Sequence, residues 1–252
     1  MVTPHLYLAS ASPQRSALLA HLTVPFVIQP SLIEERDVPV PRAPKEQTRT
    51  LAISKAVDVA ARRPWTVALG ADTLVTVDGE VMGKPSDRDD AVRMLRHLSG
   101  RTHAVHTGIA VCYPSESALG VVLSAGGGGL LQALEAALTT QHTTPLISRD
   151  AGTGSLIISA VATSSVTMHE LSDAAIQTYV ATGEPVNRAG AYAIQSMGYH
   201  LVSRLTGCYA NVVGLPLCTV ATVLRAVMDE SVCCPDEPRC RVDGTGGCYC
   251  GR

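Results

Sequence analysis

Short apolar runs alternate with stretches of helical periodicity along this chain, and that alternation leaves few folds open to it. Leu6 to Ala9 ("LYLA") reads as a buried strand, and from Pro13 the apolar residues return at Ala17, Leu18 and Leu22, which is helical spacing. "PFVIQPS" reads as a short strand running into "LIEERD", and prolines 39, 41 and 44 mark a loop. Lys45 to Arg63 is helical, with Leu51, Ile53, Ala56, Val57 and Ala60 apolar. "TVALGADTLVTVDGEVMGKPSD" predicts strand, turn, strand, an Asp-Gly hairpin turn at 78–79 and a further strand. Asp87 to Leu98 is amphipathic, with Ala91, Met94, Leu95 and Leu98 on one face. "HAVHTGIAVCY" is a strand, "SDAAIQTYVATG" a helix closed by Gly183, and "NVVGLPLCTVATVLRAVM" ends in another helix. The class is therefore α/β.

The chain has 252 residues, enough for a sizeable core, with 46% hydrophobic residues and a formal net charge of −2. Basic residues form no tracts, which argues against DNA or RNA as a partner. No positive segment precedes a long apolar core at the N-terminus, so a cytoplasmic chain with reduced cysteines in its body is expected. The most apolar later stretch, 120–138, is broken by consecutive glycines, Gln132 and Glu135, so no membrane span is expected. The Ala, Gly, Ser and Thr bias of 114–154 reads as an insertion in a surface connection. Its glycines lack the Gly-Lys-Ser/Thr that a phosphate loop requires. Residues 1–230 then form one domain, and 231–252 a flexible tail holding Cys233, Cys234, Cys240, Cys248 and Cys250. The tail lacks paired C-x-x-C knuckles, which disfavours a zinc site.

Several polar residues sit against this pattern. In "LASASPQR", Ser12 is placed as a helix N-cap and Pro13 at the first helical position. Arg15, in that first turn, opposes the helix dipole unless something anionic lies in front of it. Lys55 lies four residues after Leu51 and four before Val59, within an apolar row. Asp72 follows the apolar "VALG", where an open α/β sheet keeps ligand-binding groups at a strand's end. Lys84 stands between Gly83 and Pro85 on a rigid turn. Of the adjacent Glu34 and Glu35, at most one faces any given site. Arg15, Lys55 and Lys84 would supply cations for a polyphosphate, and Glu34 and Asp72 oxygen ligands for Mg²⁺.

The stretches "LASASPQR", "IEER", "ISKA", "GADTLV", "GEVMGKPSD", "MLRHLSGRTHAVHTGIAV", "GEPVNRAGAYAIQSMG" and "NVVGLPL" run in one order from Leu6 to about Met228. In these the chain resembles the Maf (septum-formation-inhibitor-like) nucleotide pyrophosphatases. The resemblance implies an elongated mixed sheet flanked by helices with a central cleft, related to the inosine-triphosphate pyrophosphatase fold. It also implies a homodimer that hydrolyses a nucleoside triphosphate to the monophosphate and pyrophosphate with a divalent cation (Mg²⁺, Mn²⁺ or Co²⁺). Carried over by position, Asp72 is the proton acceptor, Glu34, Lys55 and Lys84 complete the catalytic set, and Glu34 and Asp72 hold the metal. Ser10, Ser12 and Arg15 bind substrate. Thr73 and Gln195 match the branch that takes dTTP, UTP and modified pyrimidine nucleotides, rather than the 7-methyl-GTP branch. Gln14 departs from that branch's arginine, and Ser196 from its usual glycine. A 7-methyl-GTP or broader nucleotide pyrophosphatase, or a non-catalytic nucleotide-binding regulator of cell division, is the alternative.

Overall fold

The structure, a computed structural model, describes residues 6–22, 24–63, 65–113, 143–152 and 154–228, with 241–242 and 248–249. In chain order its first half holds β1 (Leu6–Leu8), α1 (Pro13–Leu19), β2 (Phe26–Ile28), α2 (Pro44–Arg62), β3 (Val67–Val77), β4 (Glu80–Met82) and α3 (Arg88–Leu98). Then come β5 (Thr102–Tyr113), β6 (Thr144–Arg149), β7 (Leu156–Met168), α4 (Asp173–Ala181), β8 (Val202–Thr206), α5 (Tyr209–Val213) and α6 (Leu217–Met228). One eight-stranded mixed sheet runs in the order β2-β1-β3-β5-β7-β6, with β4 added to β3 and β8 to β7. The first three strands are parallel and the rest pair antiparallel.

The alternation of side chains along β3 divides the molecule into layers. Val67, Leu69 and Ala71 join a core with α1 and α6, and further along Val75 and Val77 join a second core with α3 and α4. Ala68 faces the other way, into a third core built on Ala52, Ala56 and Val59 of α2. Glycine makes this last layer thin. A Cβ on Gly70 would lie 2.1 Å from the Ala52 carbonyl oxygen, and one on Gly108 would lie 2.5 Å from that of Thr48. Helix α2 thus rests backbone to backbone on β3 and β5.

Most local signals are realised. Ser12 caps α1 by accepting from the Arg15 amide, with Pro13 as its first residue. Asp87 caps α3, whose buried face carries Ala91, Met94, Leu95 and Leu98. Asp78 and Gly79 both have positive φ, as a two-residue type I′ hairpin requires. Gly183 follows α4 at φ 77°. Cys112 is a buried thiol, its pKa pushed up to about 11 by burial.

Two expectations need correction. No turn divides β3 at Asp72: the strand runs unbroken from Val67 to Val77, because β5 pairs it continuously from Ala68 to Thr76. The stretch 114–154 is also not wholly a surface connection. Residues 114–142 lie outside the described set, but Thr144–Arg149 forms β6, the edge strand against β7. Its proline at 145 is compatible with an edge, where one side of the ladder is open. In the tail, 241–242 and 248–249 pair as two short antiparallel strands; its cysteines other than Cys248 lie outside the described residues.

Candidate active site

The cleft follows from a gap in the sheet. On one side of β3, β1 pairs only as far as Leu69, and β4 begins only at Val75. Between them the strand edge lacks a neighbour, and side chains from both faces of β3 reach the same space. A pocket of about 360 Å³ opens there, within the range of small-molecule sites. Arg15, Lys55, Asp72, Thr73, Lys84 and Gln195 line it, with Ser12 and Gln14 at one side. Ser10 is not in the wall but bonds both the Ser12 amide and the Arg15 guanidinium.

Asp72 points to the α2 side of the sheet and is 6% exposed. Because α2 sits so close over Gly70, Lys55 reaches it, and Lys55 Nζ donates to Asp72 Oδ1 at 2.7 Å. Lys55, 8% exposed, does not snorkel to the surface. Its ammonium also meets Glu35 Oε1 at 2.7 Å. Burial pushes the Asp72 carboxyl above the ordinary aspartate range, against the opposing pull of Lys55 and Arg15. Glu35 shifts the other way. Burial tends to raise it, yet the Lys55 hydrogen bond and the charges of Lys55, Lys84 and Arg15 hold it below its ordinary value.

Glu35, not Glu34, is therefore the acid that the short 3₁₀ turn Glu35–Asp37 turns into the pocket. Both side chains are exposed to solvent, but Glu34 precedes that turn in extended conformation and lies outside the lining. The sequence identifies the pair but not which member faces inward, since the choice depends on how the turn leaves the edge of the sheet.

Arg15 is in the wall, yet much of its guanidinium is turned onto protein. Nε donates to Gly214 O at 2.9 Å, Nη1 to Ala71 O at 2.8 Å and Ser10 Oγ at 3.3 Å, and Nη2 to Thr73 Oγ1 at 3.2 Å. The Ala71 carbonyl is one that the gap in the sheet leaves without a strand partner, so Arg15 in part replaces that strand. Gln14 Oε1 accepts from Ser12 Oγ at 3.1 Å, which points the amide end of the side chain along the pocket rim. Arg188 and Tyr192 also line the pocket, and the sequence pattern points to neither. The run "NRAGAY" places an arginine beside a small-residue turn, and Gly190 within it has φ 72°.

Among the described residues no group of three or more His, Cys, Asp and Glu side chains could cage a metal. Asp72 and Glu35, drawn together on one ammonium, are an oxygen-only pair. That set fits an ion such as Mg²⁺, which takes one or two carboxylates and completes its shell with water and substrate phosphates. Among the described residues no helix is long and apolar enough to cross a membrane.

A buried lysine between two carboxylates, in an α/β cleft ringed by further cations, is the equipment of a phosphoryl-transfer site. Sequence relatives agree. The family described as Maf-like protein matches residues 5–125 and 129–227, and the chain belongs to that family. It is 42% identical over 222 residues to a dTTP/UTP pyrophosphatase of Moorella thermoacetica, covering 87% of this chain and 93% of that protein. To one of Geobacter sulfurreducens it is 42% identical over 222 residues, covering 88% and 96%. A third, from Koribacter versatilis, is 36% identical over 220 residues, covering 87% and 93%.

Proposed function

We propose that this protein is a nucleoside triphosphate pyrophosphatase that hydrolyses dTTP and UTP to the nucleoside monophosphate and pyrophosphate. The observation that carries the reading is the Lys55–Asp72 pair, buried at the one unpaired stretch of β3 inside the pocket. Membership of the Maf-like family, and relatives named dTTP/UTP pyrophosphatase, supply the substrate class.

In the mechanism we infer, Asp72 orients a water molecule for in-line attack on the triphosphate and accepts its proton. Its raised proton affinity brings it nearer to neutral pH, where a general base is most effective. Lys55 fixes the carboxylate through Oδ1 and leaves Oδ2 for the water. Lys84 and Arg188, in the same wall, offset the charge that gathers on the phosphate oxygens. Arg15 acts chiefly by holding the Ala71–Thr73 segment in place, with its remaining Nη2 hydrogen available to substrate. A divalent cation held by Asp72 and Glu35 would screen the phosphates and act as a Lewis acid on them. Thr73, Gln195 and Gln14 would read the base from the pocket wall. A homodimer acting on the cytoplasmic nucleotide pool completes the reading.

The test is a nucleotide panel scored for pyrophosphate release with Mg²⁺, Mn²⁺ and Co²⁺ in turn. Preference for dTTP and UTP over 7-methyl-GTP and the purine triphosphates is expected. Preference for 7-methyl-GTP would overturn the substrate assignment, and absence of any turnover would overturn the enzyme itself.

A further inference from the structure

Thr73 and Thr107 are directly opposite one another in the β3–β5 ladder, and their hydroxyl oxygens are 2.9 Å apart. Which of them donates is decided by their other partners. Thr107 Oγ1 is 2.8 Å from the backbone carbonyl of Asn211, a group that can only accept, so the single Thr107 hydroxyl hydrogen is spent there. Toward Thr73, then, Thr107 presents a lone pair, and the Thr73 hydroxyl must donate to it. Arg15 Nη2, which can only donate, occupies one lone pair of Thr73 at 3.2 Å. Hydrogen bonds therefore run in one direction, from Arg15 to Thr73 to Thr107 to the Asn211 carbonyl. What remains of Thr73 for the pocket is one acceptor lone pair.

The end of this chain is rigid. Asn211 is fully buried, its side-chain Nδ2 donates to Val105 O at 3.0 Å and Ser164 Oγ at 2.9 Å, and its amide donates to Cys208 Sγ at 3.4 Å. Thr107 has no exposed surface and lies outside the pocket lining, so it touches no substrate itself.

We propose that Thr107 is a positioning residue for base selection: it fixes Thr73 as a pure acceptor and so selects uracil and thymine over cytosine. The inference rests on the dTTP/UTP reading above. Along the pairing edge of uracil or thymine the only donor is N3–H, flanked by carbonyl oxygens. An acceptor lone pair on Thr73 can hold that group and no other on the edge. In cytosine the same ring nitrogen carries a bare lone pair, which would face the lone pair of Thr73 across the pocket. A site that satisfies one partner and leaves the other unpaired discriminates strongly, because an unmet polar contact in a desolvated site is costly.

The experiment compares kcat/KM for UTP and CTP in wild type, Thr107→Val and Thr107→Ser. Valine keeps the shape but removes the acceptor, which frees the Thr73 hydroxyl hydrogen to donate to cytosine N3. We expect the Thr107→Val variant to narrow the UTP/CTP ratio by about tenfold or more, mainly through a lower KM for CTP. Thr107→Ser, which keeps the hydroxyl, should retain the wild-type ratio. A general loss of stability would lower both nucleotides together and leave the ratio alone. If Thr107→Val does not fold, Thr73→Val tests the same lone pair and must also narrow the ratio. A wild type selective for UTP whose ratio survives either valine variant overturns this inference alone. A wild type that turns over neither nucleotide overturns it together with the dTTP/UTP reading.

Discussion

Lys55 shows how little room the site leaves for independent residues. One ammonium holds Asp72 and Glu35 at 2.7 Å each, so a change at any of the three alters the other two. Asp72→Asn keeps the shape but removes the base, and turnover should fall by about a hundredfold or more. The wild-type profile carries a further mark. Burial raises the Asp72 pKa, so the acid limb of kcat/KM should lie at higher pH than an ordinary aspartate would give, and it should disappear in the variant. Near-normal turnover by Asp72→Asn would remove it from the mechanism. The adjacent glutamates give a sharper contrast. Glu35→Gln should lower kcat/KM about tenfold or more, since it weakens the hold on Lys55 and the oxygen pair. Glu34→Gln, outside the pocket, should leave it within about twofold. The reverse order of effects would place Glu34 in the site after all.

Among the elements, α2 and β3 set the geometry together. A methyl group on Gly70 would come within 2.1 Å of the Ala52 carbonyl oxygen, so alanine there must lift the helix. Overpacking of this kind costs about 1–3 kcal/mol, and more against backbone. Gly70→Ala should lower Tm by about 5 °C or more and should depress kcat further than the stability loss explains, because Lys55 rides on the displaced helix. Thermal melts and steady-state rates on the same preparation check both. β6 gives the second element prediction. Composition alone reads 114–154 as an insertion in a surface connection, but excising 116–152 takes away Thr144–Arg149, whose Ile147 packs against the α1/α6 core. The deletion should lower Tm by at least about 5 °C, and an unchanged Tm would mean that β6 contributes nothing to stability.

At the scale of the whole molecule, acid stability has a source outside the site. His103 is buried, its Nε2 is 2.7 Å from the Tyr192 hydroxyl, and burial lowers its pKa to about 4. The unfolded chain takes up a proton near pH 6.5, whereas the folded one stays neutral until about 4. Stability that is fully present above pH 6.5 is then lost as pH falls toward 4, at up to about 1.4 kcal/mol per pH unit. His106, also shifted down by burial and by Lys45, adds in the same direction. Denaturant melts between pH 7 and 4 should show a shallower decline in His103→Gln than in wild type. Equal slopes would assign the acid loss to other groups. Because Tyr192 also lines the pocket, this buried contact ties the α3/α4 core to the wall of the site.

What the sequence determines by itself is local. Periodicity defines α2, α3 and α4, the Asp-Gly pair defines the β3–β4 turn, and Ser12 with Pro13 defines the start of α1, because each signal acts within a few residues of its effect. Lys55 and Asp72 are legible as charges in apolar company. The tertiary structure alone decides the rest. A gap in the ladder beside β3 makes the cleft, and it depends on where β1 stops and β4 starts, which no window of sequence contains. Whether Glu34 or Glu35 faces inward, and that Arg15 serves the Ala71 and Gly214 carbonyls, depend on partners far along the chain. Thr107 is the extreme case. In sequence it is one more β-branched residue of a strand, and only the fixed carbonyl of Asn211, 104 positions away, gives its hydroxyl a direction.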